Sequence, residues 1–154
     1  PKHDNHELLG KTKFAGCLGV MKDVKRNKYT QNAKIEADCS VDGKEVYKLK
    51  STANTANWWY DHRISLIDAK TFADYRTEYF KGGKHIKTID RSWASANLDD
   101  PRASYWGYWY GKTNTTGHET MAFIPSTITK VNHKYKAKNL WSTRTLKKMP
   151  KKIK

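Results

Sequence analysis

The sequence has 154 residues, with 30 Lys and Arg against 15 Asp and Glu, so its formal net charge is +15. Six Trp, nine Tyr and four Phe argue against intrinsic disorder, and nine Gly, four Pro and two Cys exclude collagen-like and disulfide-dense chains. No apolar run approaches the roughly 18 residues that a transmembrane segment needs. We therefore expect a basic single domain over residues 1–154 with no transmembrane segment. The sequence does not indicate an oligomeric state.

The first apolar residues are spaced like one face of a helix. Positions i, i+3, i+4 and i+7 of an amphipathic helix are matched by Phe14, Cys17, Leu18 and Met21. Glycines within the segment lower its helix propensity. The spacing predicts one short N-terminal helix.

An Asp-Gly pair predicts a tight turn further along the chain. Asp42-Gly43 separates residues 35–41 from residues 44–50, and Asp-Gly supplies the positive φ angles of a type I′ hairpin turn. In the second arm Tyr47 and Leu49 alternate with lysines, so these two side chains are expected to face the core. The pattern predicts a β-hairpin.

Short strands separated by turns dominate the remainder of the sequence. Residues 73–79 also fit a helix, but their Tyr, Thr and Phe favour a strand. Residues 81–84 then form a hairpin turn, and residues 94–104 form a loop. Strands are predicted at residues 58–67, 73–79, 85–93, 105–111, 120–124 and 127–131. The pattern indicates a mainly β protein, a small antiparallel barrel or sandwich with the one N-terminal helix.

The positive charge is concentrated near the C-terminal end. After Glu119 the chain has ten Lys and Arg and no acidic residue, so this part carries +10 of the total of +15. Lys outnumbers Arg 24 to six, which favours a diffuse polyanion over one specific ligand. The alternative is a lysine-rich surface that only keeps the protein in solution. Within the basic C-terminal segment 130–154, the candidate polyanion-binding residues are Lys130, Lys134, Lys136, Lys138, Lys147, Lys148, Lys151 and Lys152.

Large aromatic residues cluster in two short stretches. Exposed Trp and Tyr stack on sugar rings or bases, whereas buried ones would fill a core that has few Leu, Ile and Val. Both roles are open from the sequence alone. The candidate aromatic platform consists of Trp58, Trp59, Trp106, Tyr108, Trp109 and Tyr110.

One set of polar residues fits the requirements of metal-free RNA cleavage. That reaction uses a carboxylate or imidazole base, an imidazole acid and nearby cations. Glu78, His85 and His118 supply these groups if the fold brings them together; otherwise they are surface residues on different strands. Asp99-Asp100 offers too few carboxylates for calcium and is expected to form a solvated turn, so no metal site and no cofactor are predicted.

The two cysteines, Cys17 and Cys39, form either a disulfide or a pair of buried free thiols. A bridge would stabilise the fold by roughly 3 kcal/mol and would require an oxidising compartment. The sequence starts with Pro1 rather than Met, so we expect a processed product or a part of a longer protein.

The C-terminal sequence is similar in style to a group of exported proteins. Its segments YKAK, at residues 135–138, and LKKMPKKI, at residues 146–153, resemble segments of small Lys- and Tyr-rich exported proteins of lactobacilli. The resemblance implies a secreted or cell wall-associated protein of a Gram-positive bacterium. It assigns no functional residue.

Three interpretations follow from these patterns. The first is a non-enzymatic binding protein for an anionic polymer, with a cell-wall polymer such as teichoic acid, an acidic polysaccharide or nucleic acid as its partner. The second is a metal-free ribonuclease or toxin domain. The third is a lipocalin-like carrier that holds a small apolar ligand in an enclosed cavity.

Overall fold

The computed structural model describes residues 4–16, 18–26, 31–38, 41, 43–127, 129–132 and 143–144, with the backbone alone for 18–26 and 31–38. Nine β-strands are formed by these residues. They are β1 (Asp4–Lys13), β2 (Leu18–Arg26), β3 (Gln31–Asp38), β4 (Glu45–Ala53), β5 (His62–Asp68), β6 (Asp74–Lys81), β7 (Lys84–Ser95), β8 (Ser104–Thr113) and β9 (Glu119–Phe123).

Seven of the strands form one antiparallel sheet in the order β1-β4-β5-β6-β7-β8-β9. The mainly β class is therefore confirmed. β1 and β9 lie at opposite edges, so the sheet is open and the expected closed barrel is not formed. The described residues do not form a sandwich either, because the second ladder contains only β2 and β3.

The predicted N-terminal helix is wrong for the residues that the structure describes. Leu18 and Met21 belong to β2, which pairs with β3 through Leu18 opposite Asp38 and Met21 opposite Ile35. The segment contains Gly and β-branched Val, which lower helix propensity, and pairing with β3 satisfies its backbone. β2 also contacts β7 and β8.

A tight turn is present at Gly43, but the predicted hairpin is not. Lys44 N donates to Val41 O at 3.3 Å and Gly43 has a φ of 75°, as a tight turn requires. However, β3 pairs with β2, whereas β4 pairs with β1 and β5. Phe14 binds the turn instead: its O accepts from Gly43 N at 2.9 Å, and its N donates to Lys44 O at 2.8 Å.

Two apolar clusters are buried in the described part of the chain. The first contains Phe14, Val46, Ala73 and Tyr75, and the second contains Tyr60, Tyr79 and Ile89. Val46 is 0% exposed, whereas Tyr47 and Leu49, which the sequence predicts to face the core, are only half-buried. At this end of β4 the core therefore lies on the face opposite to the predicted one.

The later strands agree largely with the sequence prediction. β6, β7, β8 and β9 match predicted strands, and Gly82 and Gly83 both have positive φ in the tight turn between β6 and β7. β5 begins at His62, so residues 58–61 form a loop rather than the start of a strand. Of residues 127–131, those that the structure describes form no strand.

The sheet has two chemically different faces. Side chains opposite each other in a ladder share a face, and side chains alternate along each strand. One face, which we call the arginine face, carries Arg63, Tyr79, Ile89, Arg91 and Trp109. The other, which we call the histidine face, carries His62, Glu78, Phe80 and His85.

Candidate functional site

Arg91 lies near the middle of the arginine face and is almost completely buried. Its Nη1 is 3.0 Å from Asp74 Oδ2 and donates to Thr77 Oγ1 at 3.0 Å. The residue is 8% exposed, and the Trp106 ring lies against the guanidinium at 5.5 Å. Arg91 is thus held by one acid, one hydroxyl and one indole.

Arg63 forms a second ion pair on the same face. Its Nη2 is 3.0 Å from Asp4 Oδ2, and the Tyr60 hydroxyl lies 2.9 Å from both oxygens of that carboxylate. Asp4 is buried, so this contact joins the edge strand β1 to β5 and to the loop that precedes it. It fixes the orientation of Arg63 on the sheet.

Both guanidinium groups keep donor capacity that the described residues do not use. The Nε atoms of Arg63 and Arg91 are buried and have no hydrogen-bond partner in the described part of the structure. A buried donor without an acceptor costs roughly 1–3 kcal/mol, more for a charged group. An arrangement of this kind is suited to receive an acceptor from outside the described residues.

Asp74 lies within the electrostatic field of both arginines. Burial raises the pKa of the Asp74 carboxyl above its usual value, although the charges of Arg91 and Arg63 act to lower it. The negative form of Asp74 is therefore poorly solvated despite its ion pair. Asp4, Asp74, Arg63 and Arg91 together form a four-charge cluster of zero formal charge.

An aromatic cluster lies next to these charges. Tyr60, Tyr79 and Ile89 are buried against one another, with Trp109 packed beside them. The Trp59 ring is 4.6 Å from the Tyr60 ring and 4.7 Å from the Tyr79 ring, yet Trp59 is still 48% exposed. The cluster is thus open to solvent at Trp59 and can extend an apolar contact to a ligand.

The six residues of the predicted aromatic platform do not form one surface. Trp106 and Trp109 lie on the arginine face, whereas Tyr108 and Tyr110 lie on the opposite face, and Tyr108 is only 3% exposed. The remaining two, Trp58 and Trp59, are exposed in the loop before β5. The structure therefore divides the platform between core, arginine face and loop.

The proposed ribonuclease residues are not joined to one another. Glu78 and His85 share the histidine face, but His85 Nε2 contacts Thr88 Oγ1 at 3.0 Å and Lys87 O at 3.1 Å. His118 is exposed in the segment between β8 and β9. Within the described residues, no hydrogen bond or ion pair links Glu78, His85 and His118.

A stack of three rings on the histidine face was not predicted from the sequence. His62 lies 4.8 Å from the Phe80 ring at an interplanar angle of 4°, and Phe80 lies 5.1 Å from the His85 ring. The three residues occupy adjacent strands β5, β6 and β7. The stack packs these strands together and leaves His85 exposed.

Most of the predicted polyanion-binding lysines lie outside the described residues. Lys130 is described and exposed, while the other seven, from Lys134 to Lys152, are not part of the described chain. The predicted disulfide partners, Cys17 and Cys39, also lie outside the described residues.

A pocket of about 270 Å³ lies where turns and strand ends meet, and its lining residues Ser92 and Trp93 directly follow Arg91 in the chain. Its lining includes Lys44, Thr71, Tyr75 and Trp93. Ligand pockets usually occupy roughly 300–1,000 Å³, so this one suits a small group at most. The arginine face is the better candidate for a ligand with an apolar body.

Neither a metal-ion cluster nor a membrane-spanning helix is found in the described ranges. No group of three or more His, Cys, Asp or Glu side chains is placed to hold a metal ion there. None of the helical structure described is long and apolar enough to cross a membrane.

The two arginines could have been recognised from the strand pattern. Ile89, Arg91 and Trp93 alternate along β7, so an arginine occupies a position where the period of two expects an apolar residue. Arg63 likewise alternates with Ser65 and Ile67 on β5. The period of two therefore marks both arginines, whereas the lysine-rich composition indicates only the C-terminal segment.

No protein-family model matches the sequence, and no curated protein matches it. Among solved structures, the chain is similar to an outer membrane lipoprotein-sorting protein domain from Vibrio parahaemolyticus, with a TM-score of 0.52 and 14% identity. The alignment covers 84% of this chain but 45% of that one, so this chain spans less than half of the other structure's length. At this identity the likeness concerns the fold alone.

Proposed function

We propose that the protein is a non-enzymatic carrier that holds a small ligand with an apolar body on its arginine face. The observation that supports this function best is the aromatic cluster of Tyr60, Tyr79 and Ile89, which opens to solvent at the half-exposed Trp59. The sheet is open, so this face can be reached without passing through a closed barrel. We thus retain the interpretation of the protein as a carrier of a small apolar ligand, but the ligand lies on an open sheet face instead of in an enclosed cavity.

The name of the similar structure, an outer membrane lipoprotein-sorting protein domain, fits a ligand with an apolar body. Contact with the Trp59 ring would remove apolar surface of the ligand from water at roughly 25 cal/mol per Å². A few aromatic side chains therefore suffice for a weak but measurable affinity.

Titration with the neutral fluorescent probe N-phenyl-1-naphthylamine tests the proposal. We expect saturable binding, and we expect Trp59→Ala to weaken it about tenfold, since a buried large side chain contributes roughly 1.5–3 kcal/mol. Leu98→Ala is the matched control, because Leu98 is similarly exposed but lies in the loop between β7 and β8. Equal affinities of wild type and Trp59→Ala, or no saturation, would refute the carrier function.

A location outside the cytoplasm is part of the proposal. It is supported by the name of the similar structure and by the resemblance of the C-terminal segment to exported proteins. We propose a secreted or cell wall-associated protein. Fractionation of the producing cells with an antibody against the protein tests this, and recovery in the cytosolic fraction alone would contradict it.

Polyanion binding is a second candidate function, because ten Lys and Arg follow Glu119 without one acidic residue. Binding of this kind releases counterions, so it weakens steeply as salt is raised. Retention on purified cell wall or heparin should fall when the salt concentration increases from roughly 0.05 M to 0.5 M. Retention that does not change with salt would exclude this function.

A further inference from the structure

We propose that Arg63 and Arg91 form an anion site, which binds a carboxylate or phosphate group of the ligand whose apolar body lies against the aromatic cluster. The inference rests on the proposed carrier function and deepens it by naming the class of ligand as an anionic amphiphile. Its basis is the unused donor capacity of two arginines on one face of the sheet, whose Nε atoms are both buried without an acceptor in the described residues.

The geometry of a neighbouring pair shows what the free edge of Arg91 can bind. Arg76 holds Asp90 through two bonds, Nε to Oδ1 at 2.7 Å and Nη2 to Oδ2 at 3.1 Å. The Nε and Nη2 groups of a guanidinium donate in parallel and match the two oxygens of a carboxylate or phosphate. In Arg91 the contacts with Asp74 and Thr77 both use Nη1, and the buried Nε has no acceptor among the described residues.

Arg63 is arranged in a comparable way. Its contact with Asp4 uses Nη2, while its Nε is buried without a partner in the described part of the chain. Both arginines act electrostatically on Asp74, so their charges reach the same region of the sheet. An oxyanion placed there would receive donors from two directions.

The head group and the apolar body can belong to one ligand. Tyr79 lies opposite Arg63, and Ile89 precedes Arg91 by two residues on the same face of β7. Two residues along a strand span roughly 6.6–6.8 Å, so the charged and apolar contacts are within the length of a short amphiphile. A ligand with separate anionic and apolar ends fits this spacing better than an inorganic ion alone.

The charge balance also permits an added anion. The four-charge cluster of Asp4, Arg63, Asp74 and Arg91 is formally neutral, so an anion would leave it with one negative charge in excess. Burial raises the pKa of Asp74, which makes protonation of this carboxyl the least costly way to restore neutrality. The anion would thus enter as Asp74 takes up a proton.

Displacement of N-phenyl-1-naphthylamine by decanoate and by decanol tests the site. In wild type we expect decanoate to displace the probe at a concentration about tenfold lower than decanol, because it alone can accept from the guanidinium edges. Arg91→Lys keeps a positive charge near Asp74 but lacks the parallel donors, so the preference for decanoate should largely disappear. Arg102→Lys, at an exposed arginine in the loop before β8, is the matched control and should keep the preference.

A second measurement separates the anion site from the carrier function. Inorganic phosphate should raise the thermal midpoint of wild type and of Arg102→Lys but not that of Arg91→Lys or Arg63→Lys. If decanoate and decanol displace the probe equally and phosphate has no effect, the anion site is refuted while the carrier function stands. If neither amphiphile displaces the probe but phosphate stabilises wild type and Arg102→Lys and not Arg63→Lys or Arg91→Lys, the carrier function fails and the anion site stands. An effect of phosphate that is equal in all variants refutes the site.

Discussion

Arg76 and Asp90 form a two-bonded ion pair between β6 and β7, and the guanidinium also lies 5.4 Å from the Phe14 ring. The hydrogen bond to Asp90 is the main reason that the pKa of Arg76 is raised. Because Asp90 is buried, removal of Arg76 leaves a carboxylate without its charge partner. The pair thus links β6, β7 and the segment after β1.

The first prediction follows from this pair. Arg76→Ala should lower the free energy of unfolding by about 3–5 kcal/mol, the usual cost of leaving one buried partner of an ion pair alone. Urea denaturation followed by tryptophan fluorescence measures the change. Arg102→Ala breaks the exposed ion pair with Asp100 and should have little effect, so equal effects of the two variants would contradict the prediction.

The second prediction concerns Asp68, which closes the turn between β5 and β6. Its Oδ1 accepts from the backbone N of Lys70 at 2.8 Å and of Thr71 at 2.7 Å, and its Oδ2 accepts from the Tyr75 hydroxyl at 2.7 Å. Burial alone would raise the pKa of Asp68, but these bonds outweigh burial and lower it. The stability that they contribute is present above the ordinary pKa and is lost as pH falls through the lowered one.

Tyr75→Phe tests this arrangement. It should cost roughly 1.5–3 kcal/mol at neutral pH, because a hydrogen bond to a buried charged group is lost. Loss of this bond should also raise the pKa of Asp68, so the variant should begin to unfold in acid at a higher pH than wild type does. Tyr47→Phe, at a half-buried tyrosine on β4, is the control, and an unchanged acid midpoint in Tyr75→Phe would contradict the prediction.

The third prediction concerns the pH dependence that arises from Asp74. Burial raises the pKa of this carboxyl, so the folded protein binds its proton up to a higher pH than the unfolded chain does. Stability from this group therefore falls as pH rises above the ordinary Asp value of about 4. Asp74→Asn should become more stable relative to wild type as pH is raised from about 4 to 7. Denaturation at several pH values measures the difference in the free energy of unfolding between Asp74→Asn and wild type. If this difference does not vary with pH, the pKa of Asp74 is not raised in the folded protein.

The fourth prediction is a disulfide between Cys17 and Cys39, which the register of the β2–β3 ladder supports. Leu18 lies opposite Asp38, and the cysteines are the residues directly before and after this pair in the sequence. A disulfide requires Cα atoms roughly 4.4–6.8 Å apart.

Reduction should then lower the thermal midpoint by several degrees, since the bridge contributes about 3 kcal/mol. A thiol titration of the denatured, unreduced protein gives the direct answer. Two free thiols would exclude the bridge and would argue against an oxidising compartment.

Local patterns predicted the strands well but not all of their partners. The two glycines between β6 and β7 and the alternation on both sides predict that hairpin correctly, because its contacts are local. At Gly43 a turn forms, yet β4 pairs with β1, which lies far away in the sequence. Turn residues specify the local bend, while the choice of partner depends on apolar surfaces that no single segment reveals.

The candidate site shows the same limit. Composition points to lysines and to aromatic runs, whereas the buried donors without a partner in the described residues belong to Arg63 and Arg91. Alternation places each arginine on a face, but the contacts with Asp4 and Asp74 depend on strand order. The sequence therefore indicates Arg63 and Arg91 as candidate site residues, but their ion pairs follow only from the strand order of the sheet.

The strand order also has a consequence for the time course of folding. From β4 to β9 every strand pairs with its neighbour in the chain, so these contacts close short loops and can form early. The pairing of β1 with β4 must instead enclose the whole of β2 and β3 in one loop, which carries a larger entropic cost. β1 is thus expected to dock last and to exchange its amide hydrogens first. Whenever β1 opens, Asp4 leaves Arg63, and the orientation of Arg63 is lost.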